Sequence, residues 1–334
     1  MRIVYLGTPT DAVPPLTALH NAGHDVVGVV TQPDRRRGRG RGLDPSPVKV
    51  EAERLGIEVQ TPDDPSTLLP WLSDLGAEIG VVVAYGKILS AEFLTSTPLG
   101  FLNIHYSLLP RWRGAAPVER AMLAGDATTG VCVMQLEVGL DTGPVWARSI
   151  LPISDVVTAG GLRQELTLVG ANLLVATLPD IEGGRRTPEA QTGTPTYASK
   201  LSVEEFQVDF TMPAERAALV IRAGNPKPGA WTMWRGSRIK ILRATPANAM
   251  PAPGTSTSPA HDTLPAAVSR ETSVPTAESA APGTVLAVTA DGVRVALGDG
   301  SMIDLVELQP AGKAAMPASA WASGAQPIGS VFGE

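Results

Sequence analysis

The chain has 334 residues, which is long enough for two domains, each with its own hydrophobic core. Its hydrophobic fraction of 43% and charged fraction of 18% are ordinary for a soluble globular protein, and no apolar run is long enough to span a membrane. The net charge of −6 argues against indiscriminate binding to nucleic acid, and the single cysteine, Cys132, excludes a disulfide framework and a cysteine cluster for a metal.

Strand and helix signals alternate through the first half of the chain. Residues 2–7 form a short apolar run, residues 14–22 have a helical pattern, and residues 26–31 form a second apolar run. This order predicts parallel βαβ units with right-handed crossovers. Residues 79–84 (IGVVVA) predict a strand buried on both faces, and residues 100–105 predict a strand that leads into a proline-containing loop.

A dense basic loop follows the second predicted strand. It contains Arg35, Arg36, Arg37, Arg39 and Arg41. A second basic stretch covers residues 216–243 and includes Arg222, Arg235, Arg238 and Lys240. Two local positive patches on an acidic protein favour selective contact with phosphates, although solvated loops that are basic by chance are the simpler alternative.

The composition of the second half predicts a linker and a further domain. Residues 186–204 are rich in Gly, Pro, Thr and charge, which predicts a linker between a first domain (1–185) and a second (205–334). The second domain shows one helix and several short strands with Gly turns, which is typical of a small β-barrel. Residues 245–282 interrupt it with a stretch rich in Ala, Pro, Ser and Thr, for which we expect a disordered insert.

Asn103 and His105 close the strand predicted at residues 100–105. Ligands bind at the carboxyl ends of strands in open α/β sheets, and residues two apart on a strand point to the same side. An amide can hydrogen-bond a developing oxyanion while an imidazole handles a proton, so the pair suits acyl transfer. Asp141, in a glycine-flanked turn, is the candidate carboxylate that orients the histidine. A purely structural polar pair at the strand end remains the alternative.

Several short stretches frame these three residues. Residues 107–117 (SLLPRWRGAAP) follow directly after His105, and residues 139–143 (GLDTG) carry Asp141. Others are 31–34 (TQPD), 45–50 (PSPVKV), 82–86 (VVAYG) and 308–313 (LQPAGK). In this order they closely resemble the methionyl-tRNA formyltransferase family over nearly the full chain. The Asn, His and Asp triplet is shared with other folate-dependent formyltransferases, whereas the arginine loop and the basic C-terminal domain single out the tRNA enzyme.

The resemblance implies an α/β fold, with an N-terminal Rossmann-like formyltransferase domain that has a parallel sheet and a C-terminal OB-like β-barrel domain that contacts tRNA. It implies that Asn103, His105 and Asp141 are catalytic. It also implies that a loop lines the site for 10-formyltetrahydrofolate, and the loop consists of Ser107, Leu108, Leu109 and Pro110. Residues 35–42 match a loop that inserts into the acceptor stem of initiator tRNA, with Arg39 as the first candidate contact.

The implied reaction transfers a formyl group from 10-formyltetrahydrofolate to the amino group of methionyl initiator tRNA for translation initiation. We expect no metal, since the formyl donor is already activated. The expected partners are folate and initiator methionyl-tRNA, without a membrane, and the expected form is a monomer. Because the chain has one cysteine and begins without a signal-peptide pattern, we expect a cytoplasmic protein.

Three alternatives stay open at this point. The first keeps the chemistry and changes the acceptor to glycinamide ribonucleotide or a sugar amine. The second is a nucleotide-binding oxidoreductase, although residues 7–9 (GTP) lack the remaining glycines of the dinucleotide fingerprint. The third is an RNA-binding module, which would retain tRNA without folate dependence. Tyr106 stands where the family more usually has a small residue, so the shape of the folate pocket is open.

Overall fold

The computed structural model of the protein describes residues 1–36, 43–247 and 279–334. These residues form two compact units, Met1–Leu201 and Ser202–Glu334. In the ranges that the structure describes, no helix is both long enough and apolar enough to cross a membrane.

The first unit contains a sheet against which several helices pack. Its described strands are β1 (Arg2–Gly7), β2 (Asp25–Val30), β3 (Arg35–Arg36), β4 (Leu43–Asp44), β5 (Val59–Gln60), β6 (Ile79–Val83), β7 (Phe101–His105), β8 (Arg113–Gly114), β9 (Thr128–Gln135), β10 (Val145–Pro152) and β11 (Tyr197–Ala198). Its described α-helices are α1 (Val13–Asn21), α2 (Pro47–Arg54), α3 (Leu69–Leu75), α4 (Ala91–Leu94), α5 (Pro117–Ala124) and α6 (Ala159–Glu182).

Seven of the described strands form one sheet, in the order β10-β9-β7-β6-β1-β2-β5. Within this sheet, β5, β2, β1, β6 and β7 pair in parallel with one another. Strand β9 pairs antiparallel with β7, and β10 pairs antiparallel with β9 at the edge. The predicted α/β fold with a parallel sheet is therefore confirmed. Strand β6 is buried along its whole length, as its unbroken apolar sequence predicts. Strand β7 lies where the parallel and antiparallel parts of the sheet meet.

Helix α6 packs against one face of β7. It approaches the strand at Gly170, where an added Cβ would lie 2.7 Å from Ile104 Cγ2. Glycine at this position lets the helix pack closely against Ile104. Because alternate side chains of a strand point to opposite faces, Asn103 and His105 point away from α6.

Most of the segment predicted as a linker, residues 186–204, belongs to the first unit, which ends at Leu201. The backbones of Val145 and Glu189 exchange two hydrogen bonds of 2.8 Å, and β11 pairs in parallel with β8. The compact first unit accordingly extends to Leu201. Gly, Pro and Thr do predict irregular structure, but the backbone groups of such a segment can still pair with a neighbour, and composition does not reveal this.

The second unit is built mainly of antiparallel strands. Its described elements are α7 (Ala214–Gly224), β12 (Trp231–Trp234), β13 (Ser237–Ala247), β14 (Val285–Val288), β15 (Val293–Ala296), β16 (Met302–Pro310), β17 (Met316–Pro317) and α8 (Ala318–Ala325). Six of the described strands form one sheet. Five of them follow the order β12-β13-β16-β15-β14, and β17 also pairs with β16. The predicted C-terminal β domain is confirmed. Residues 245–247, which the sequence assigned to the insert, belong to β13 because they pair with residues 302–304. Residues 248–278 of the predicted insert lie outside the described residues.

An aromatic cluster fixes one end of this second sheet. The ring centroid of Trp234, the last residue of β12, lies 5.0 Å from that of Trp321 and 4.7 Å from that of Phe332. The ring of Phe332 also stacks on that of Phe210, at 5.8 Å. Such contacts stabilise beyond their buried area. The cluster holds the strand end from which the β12–β13 turn projects.

Candidate active site

Asn103 and His105 lie side by side on the free face of β7. In the antiparallel pairing with β9, Asn103 is opposite Met134 and His105 is opposite Cys132. Met134 and Cys132 are fully buried and belong to one apolar cluster. His105 is only 5% exposed, whereas Asn103 is half-buried. The sheet thus presents an amide and an imidazole beside an apolar wall, which keeps water from one side of both groups.

The imidazole of His105 has a polar neighbour at each nitrogen. Its Nε2 lies 2.9 Å from the carbonyl oxygen of Trp112. Because a carbonyl oxygen only accepts, Nε2 must carry the hydrogen in this contact. Its Nδ1 lies 3.6 Å from Asp141 Oδ2. The ring therefore presents Nδ1, toward a carboxylate, as the nitrogen at which a proton can be taken up or released.

Asp141 is held in an unusual backbone conformation. Its φ angle is +51°, in the left-handed region that non-glycine residues seldom adopt. Its Oδ2 accepts a hydrogen bond of 2.8 Å from the backbone N–H of Gly114. The structure thus places Asn103 and His105 on one face of β7 and the Asp141 carboxylate beside His105. Two exposed apolar side chains precede Asp141 in the chain, namely Val138 at 74% and Leu140 at 60% exposure.

Trp112, whose carbonyl oxygen meets His105, is fixed by its own contacts. Its φ angle is +62°, and its indole Nε1 donates to Asp126 Oδ2 at 2.8 Å. The same carboxylate accepts two hydrogen bonds from Arg111, of 2.8 and 2.6 Å. Burial acts to raise the pKa of Asp126, but the hydrogen bonds from Arg111 and Trp112 outweigh it, so this pKa lies below its ordinary value. A charged Asp126 therefore anchors the Arg111–Trp112 turn beside the imidazole.

The loop predicted to line the folate site follows β7 and turns through a cis peptide between Leu109 and Pro110. Ser107 is fully buried, and its hydroxyl donates to the carbonyl oxygen of Arg111 at 2.5 Å. Leu109 is also buried, against Cys132 and its neighbours. Leu108 and Pro110 are half-exposed, and Leu108 lines a cavity of about 260 Å³ with the Arg111–Trp112 turn. Leu108 and Pro110 are therefore the members of the loop whose side chains a ligand can reach.

Tyr106 does not enter the face that carries Asn103 and His105. Like Ile104, it points toward α6, and its hydroxyl lies 3.0 Å from Thr167 Oγ1. The side chain is only 7% exposed. The departure from the expected small residue is thus accommodated on the opposite side of the strand.

The predicted basic residues divide between the two units. Arg35 is exposed on β3, and its guanidinium donates to Gln32 Oε1, whereas Arg37, Arg39 and Arg41 lie outside the described residues. Arg36 lies beside Arg35 on β3. In the second unit, Arg222 lies half-buried on α7.

Three basic residues of the second unit share the β12–β13 hairpin. Arg235 and Arg238 are exposed, and Lys240 is half-buried. The guanidinium carbon of Arg238 lies 3.7 Å from the ring centroid of Trp231, and that of Arg235 lies 5.0 Å from the ring of Trp234. Cation–π contacts of this kind orient the guanidinium groups while leaving most of their N–H donors available, although Arg235 Nη2 also donates to Ser330 Oγ at 3.4 Å.

Sequence reasoning missed most of the contacts that orient His105 and Asp141. Trp112, Asp126 and Gly114 lacked a signal because their roles depend on backbone conformation and on contacts across the fold. Gln191 and Thr196, which also contact this region, lie in the stretch whose composition predicted a linker. Among the described residues, no group of three or more His, Cys, Asp or Glu side chains is arranged to hold a metal ion.

Comparison with protein families gives two adjacent matches. A family described as formyl transferase matches residues 1–178, and a family described as formyl transferase, C-terminal domain, matches residues 200–326. Together they cover most of the chain and correspond to the two compact units.

Comparison with solved structures shows the same fold at low sequence identity. HypX from Aquifex aeolicus in complex with tetrahydrofolic acid has a TM-score of 0.61 and 16% identity, covering 96% of this chain and 47% of that one. The chain thus spans about half the length of the HypX structures that it matches. WlaRD, a sugar 3N-formyl transferase solved with dTDP and 5-N-formyl-THF, has a TM-score of 0.63 and 17% identity. The match covers 94% of this chain and 99% of that one. An N-formyltransferase from Helicobacter canadensis, in complex with folinic acid and dTDP-3-aminofucose, has a TM-score of 0.63 and 17% identity, covering 92% and 98%.

Proposed function

The chain belongs to the formyl transferase family, and we propose that it transfers the formyl group of 10-formyltetrahydrofolate to the amino group of methionyl initiator tRNA. The observation that carries the formyl transfer is the arrangement of Asn103 and His105 on one face of β7 with the Asp141 carboxylate beside His105. It combines an amide donor with a histidine–carboxylate pair beside an apolar wall.

Asn103 acts as the donor to the oxyanion. When the α-amine of methionine attacks the formyl carbon, negative charge develops on the formyl oxygen and positive charge on the amine. The Asn103 side chain is half-buried, so its amide N–H can reach a bound substrate and donate to that oxygen. A preorganised donor of this kind contributes about 2.7–4 kcal/mol to the stability of the transition state.

His105 and Asp141 act together as the acid–base pair. A free α-amine has a pKa of roughly 7.7–8.0, so part of it is already neutral and nucleophilic at neutral pH. As the new N–C bond forms, the amine releases a proton to the pair. The Trp112 carbonyl occupies Nε2, so the proton enters at Nδ1 or at the Asp141 carboxylate. The pair then returns it to the folate nitrogen as the bond from that nitrogen to the formyl carbon breaks.

The folate co-substrate is supported by accessible apolar side chains of the loop after β7 and of the turn that carries Asp141. Leu108 and Pro110 of the loop are half-exposed, and Leu140, the residue before Asp141, is exposed. A flat ring system such as a pterin can cover apolar side chains of this kind, which otherwise face water. We propose that the loop of Ser107, Leu108, Leu109 and Pro110 holds the folate, with Leu108 and Pro110 in side-chain contact. Tetrahydrofolate or a formylated folate is present in the HypX, WlaRD and Helicobacter structures. The chemistry requires no metal, since the formyl group is already activated.

The tRNA acceptor is supported by the basic hairpin of the second unit. Arg235, Arg238 and Lys240 lie together on β12–β13, and the tryptophans beneath the two arginines orient them for phosphate oxygens. We propose that the RNA contacts comprise Arg35, Arg36, Arg37, Arg39, Arg41, Arg222, Arg235, Arg238 and Lys240. In this proposal residues 1–185 carry the chemistry, the second unit binds tRNA, and the protein acts as a cytoplasmic monomer in translation initiation.

The acceptor is tested by transfer of a labelled formyl group from 10-formyltetrahydrofolate. The acceptors compared are initiator Met-tRNA, elongator Met-tRNA, glycinamide ribonucleotide and a nucleotide-linked amino sugar. Rapid product on initiator Met-tRNA alone is the expected result. Formylation of only the sugar amine or the ribonucleotide would retain the chemistry and overturn the tRNA acceptor.

A further inference from the structure

We propose that residues 189–198, the strap, position the groups on both sides of His105, with Gln191 and Thr196 as positioning residues. This inference rests on the proposed function of the same site. The strap lies within the stretch whose composition predicts a linker, and neither residue had a predicted role.

Gln191 holds the turn that carries Asp141. Its Nε2 donates to the carbonyl oxygens of Asp141 and Gly143, at 2.8 and 2.7 Å. Its Oε1 accepts from Nε and Nη2 of Arg113, at 3.1 and 2.7 Å. One amide therefore links the Asp141 turn to β8 with both donors and its acceptor in use. This link offsets part of the cost of the left-handed conformation at Asp141.

Thr196 holds the turn that carries the Trp112 carbonyl. Its Oγ1 accepts from the backbone N–H of Trp112 at 2.9 Å, and its own N–H donates to the carbonyl oxygen of Pro110 at 3.2 Å. The backbone N–H of Arg113 in turn donates to the Thr196 carbonyl at 2.9 Å. Thr196 thus fixes the backbone of Pro110, Trp112 and Arg113, around the left-handed conformation of Trp112.

The strap lies close to the site because of a glycine. Gly114 donates its N–H to Asp141 Oδ2 and pairs with Ala198 in the β8–β11 ladder. Its φ angle is +122°, and an added Cβ would lie 2.7 Å from the Ala198 carbonyl oxygen. Only glycine combines this conformation with so close an approach.

Both partners of the imidazole ring are therefore held by one segment. The Asp141 carboxylate faces Nδ1, and the Trp112 carbonyl faces Nε2. Gln191 controls the turn of the first partner, and Thr196 controls the turn of the second. Loss of either hydrogen-bond set would let one partner move relative to the ring, which changes the favoured tautomer of His105 and the path of the proton.

The test compares three variants of the full chain with the wild type. Gln191→Met keeps the length of the side chain and removes its donors and acceptor, and Thr196→Val removes the hydroxyl with little change in shape. The matched control is Arg120→Met, because Arg120 on α5 donates to Ser199 and to the Lys200 carbonyl, two residues just beyond the strap. If Gln191→Met does not fold, Gln191→Glu, which keeps an acceptor for Arg113 and loses only the donors, takes its place.

The first readout is the side-chain NMR spectrum of isotope-labelled histidine, in which the chain has four signals to assign, with His105→Gln identifying the relevant one. The tautomer and titration midpoint of His105 should change in Gln191→Met and Thr196→Val and stay as in the wild type in Arg120→Met. The second readout is formyl transfer, where kcat should fall about 10- to 100-fold in the strap variants, while KM for the folate stays within about twofold.

The two readouts separate failure of the strap from failure of the proposed function. Folded Gln191→Met and Thr196→Val proteins with an unchanged His105 spectrum would overturn the strap, as would an equal change in Arg120→Met. A wild-type protein that formylates no Met-tRNA would overturn the proposed function alone, and the His105 spectrum would still decide whether the strap positions the ring.

Discussion

The two units present their candidate functional groups in opposite ways. In the first, His105 and Asp141 are largely buried, and each has a hydrogen bond to the backbone, His105 to the Trp112 carbonyl and Asp141 to the Gly114 N–H. In the second, Arg235 and Arg238 are exposed and rest on tryptophan rings. Buried groups in a dry environment interact strongly and depend on position, whereas exposed charges are screened by salt. This difference fits the proposed function, in which the first unit carries the chemistry and the second binds phosphates electrostatically.

The largest effect is expected at His105. His105→Ala should lower kcat by about 10²–10⁴-fold, since it removes the group that exchanges a proton with the amine. Steady-state kinetics at saturating substrates measure this. His20→Ala, at an exposed histidine in α1, is the control and should keep wild-type kcat. Near wild-type turnover in His105→Ala would remove the acid–base pair from the account.

The second-largest loss of kcat is expected at Asn103. Asn103→Asp keeps the shape of the side chain and loses the N–H donor, so kcat should fall by about 10²–10³-fold at neutral pH with little change in the melting temperature. Asn21→Asp, at the exposed end of α1, is the control. A variant that turns over normally would show that Asn103 does not donate to the oxyanion.

Asp126 should affect stability more than turnover, because it acts on the ring only through the Arg111–Trp112 turn. Asp126→Asn should lower the free energy of unfolding by about 1–2 kcal/mol, since a charged acceptor is lost and Arg111 is partly exposed. The pKa of Asp126 is lower in the folded than in the unfolded state. Its contribution is therefore present above the unfolded pKa of about 3.9 and is lost as pH falls through the folded pKa.

Denaturant unfolding across this pH range checks the contribution of Asp126. The difference in unfolding free energy between wild type and Asp126→Asn should shrink as pH falls below about 4. A difference that is constant with pH would mean that the carboxylate charge does not anchor the turn.

The smallest single effect is expected on the hairpin. Arg238→Ala should weaken tRNA binding at every salt concentration and reduce the slope of log affinity against log salt by about 1, with kcat unchanged at saturating tRNA. Binding titrations at several salt concentrations measure this. Arg54→Ala, at an exposed arginine of the first unit, is the control. An unchanged slope would place the phosphate contacts elsewhere.

The same contrast explains what the sequence could predict. Their spacing at a strand end predicted that Asn103 and His105 share a site, and the glycine-flanked turn made Asp141 a candidate partner, but the catalytic roles of all three came from the resemblance to formyltransferases. The alternation of strands and helices predicted the parallel sheet. Trp112 was not recognisable, because its part depends on a left-handed backbone and on a carbonyl oxygen that every residue has. Gln191 and Thr196 were not recognisable, because their partners are distant in sequence and the local composition is typical of a linker.

The proposal that the first unit carries the chemistry and the second binds tRNA is tested most directly by single-turnover formylation. The substrate is initiator Met-tRNA at increasing concentration. Wild type, Asn103→Asp and the double variant Arg235→Ala/Arg238→Ala are compared. We expect the double variant to reach the wild-type rate once tRNA saturates, and Asn103→Asp to stay about 10²–10³-fold slower at every concentration. Recovery of Asn103→Asp at saturating tRNA, or a wild-type protein that transfers no formyl group to this acceptor, would contradict the account.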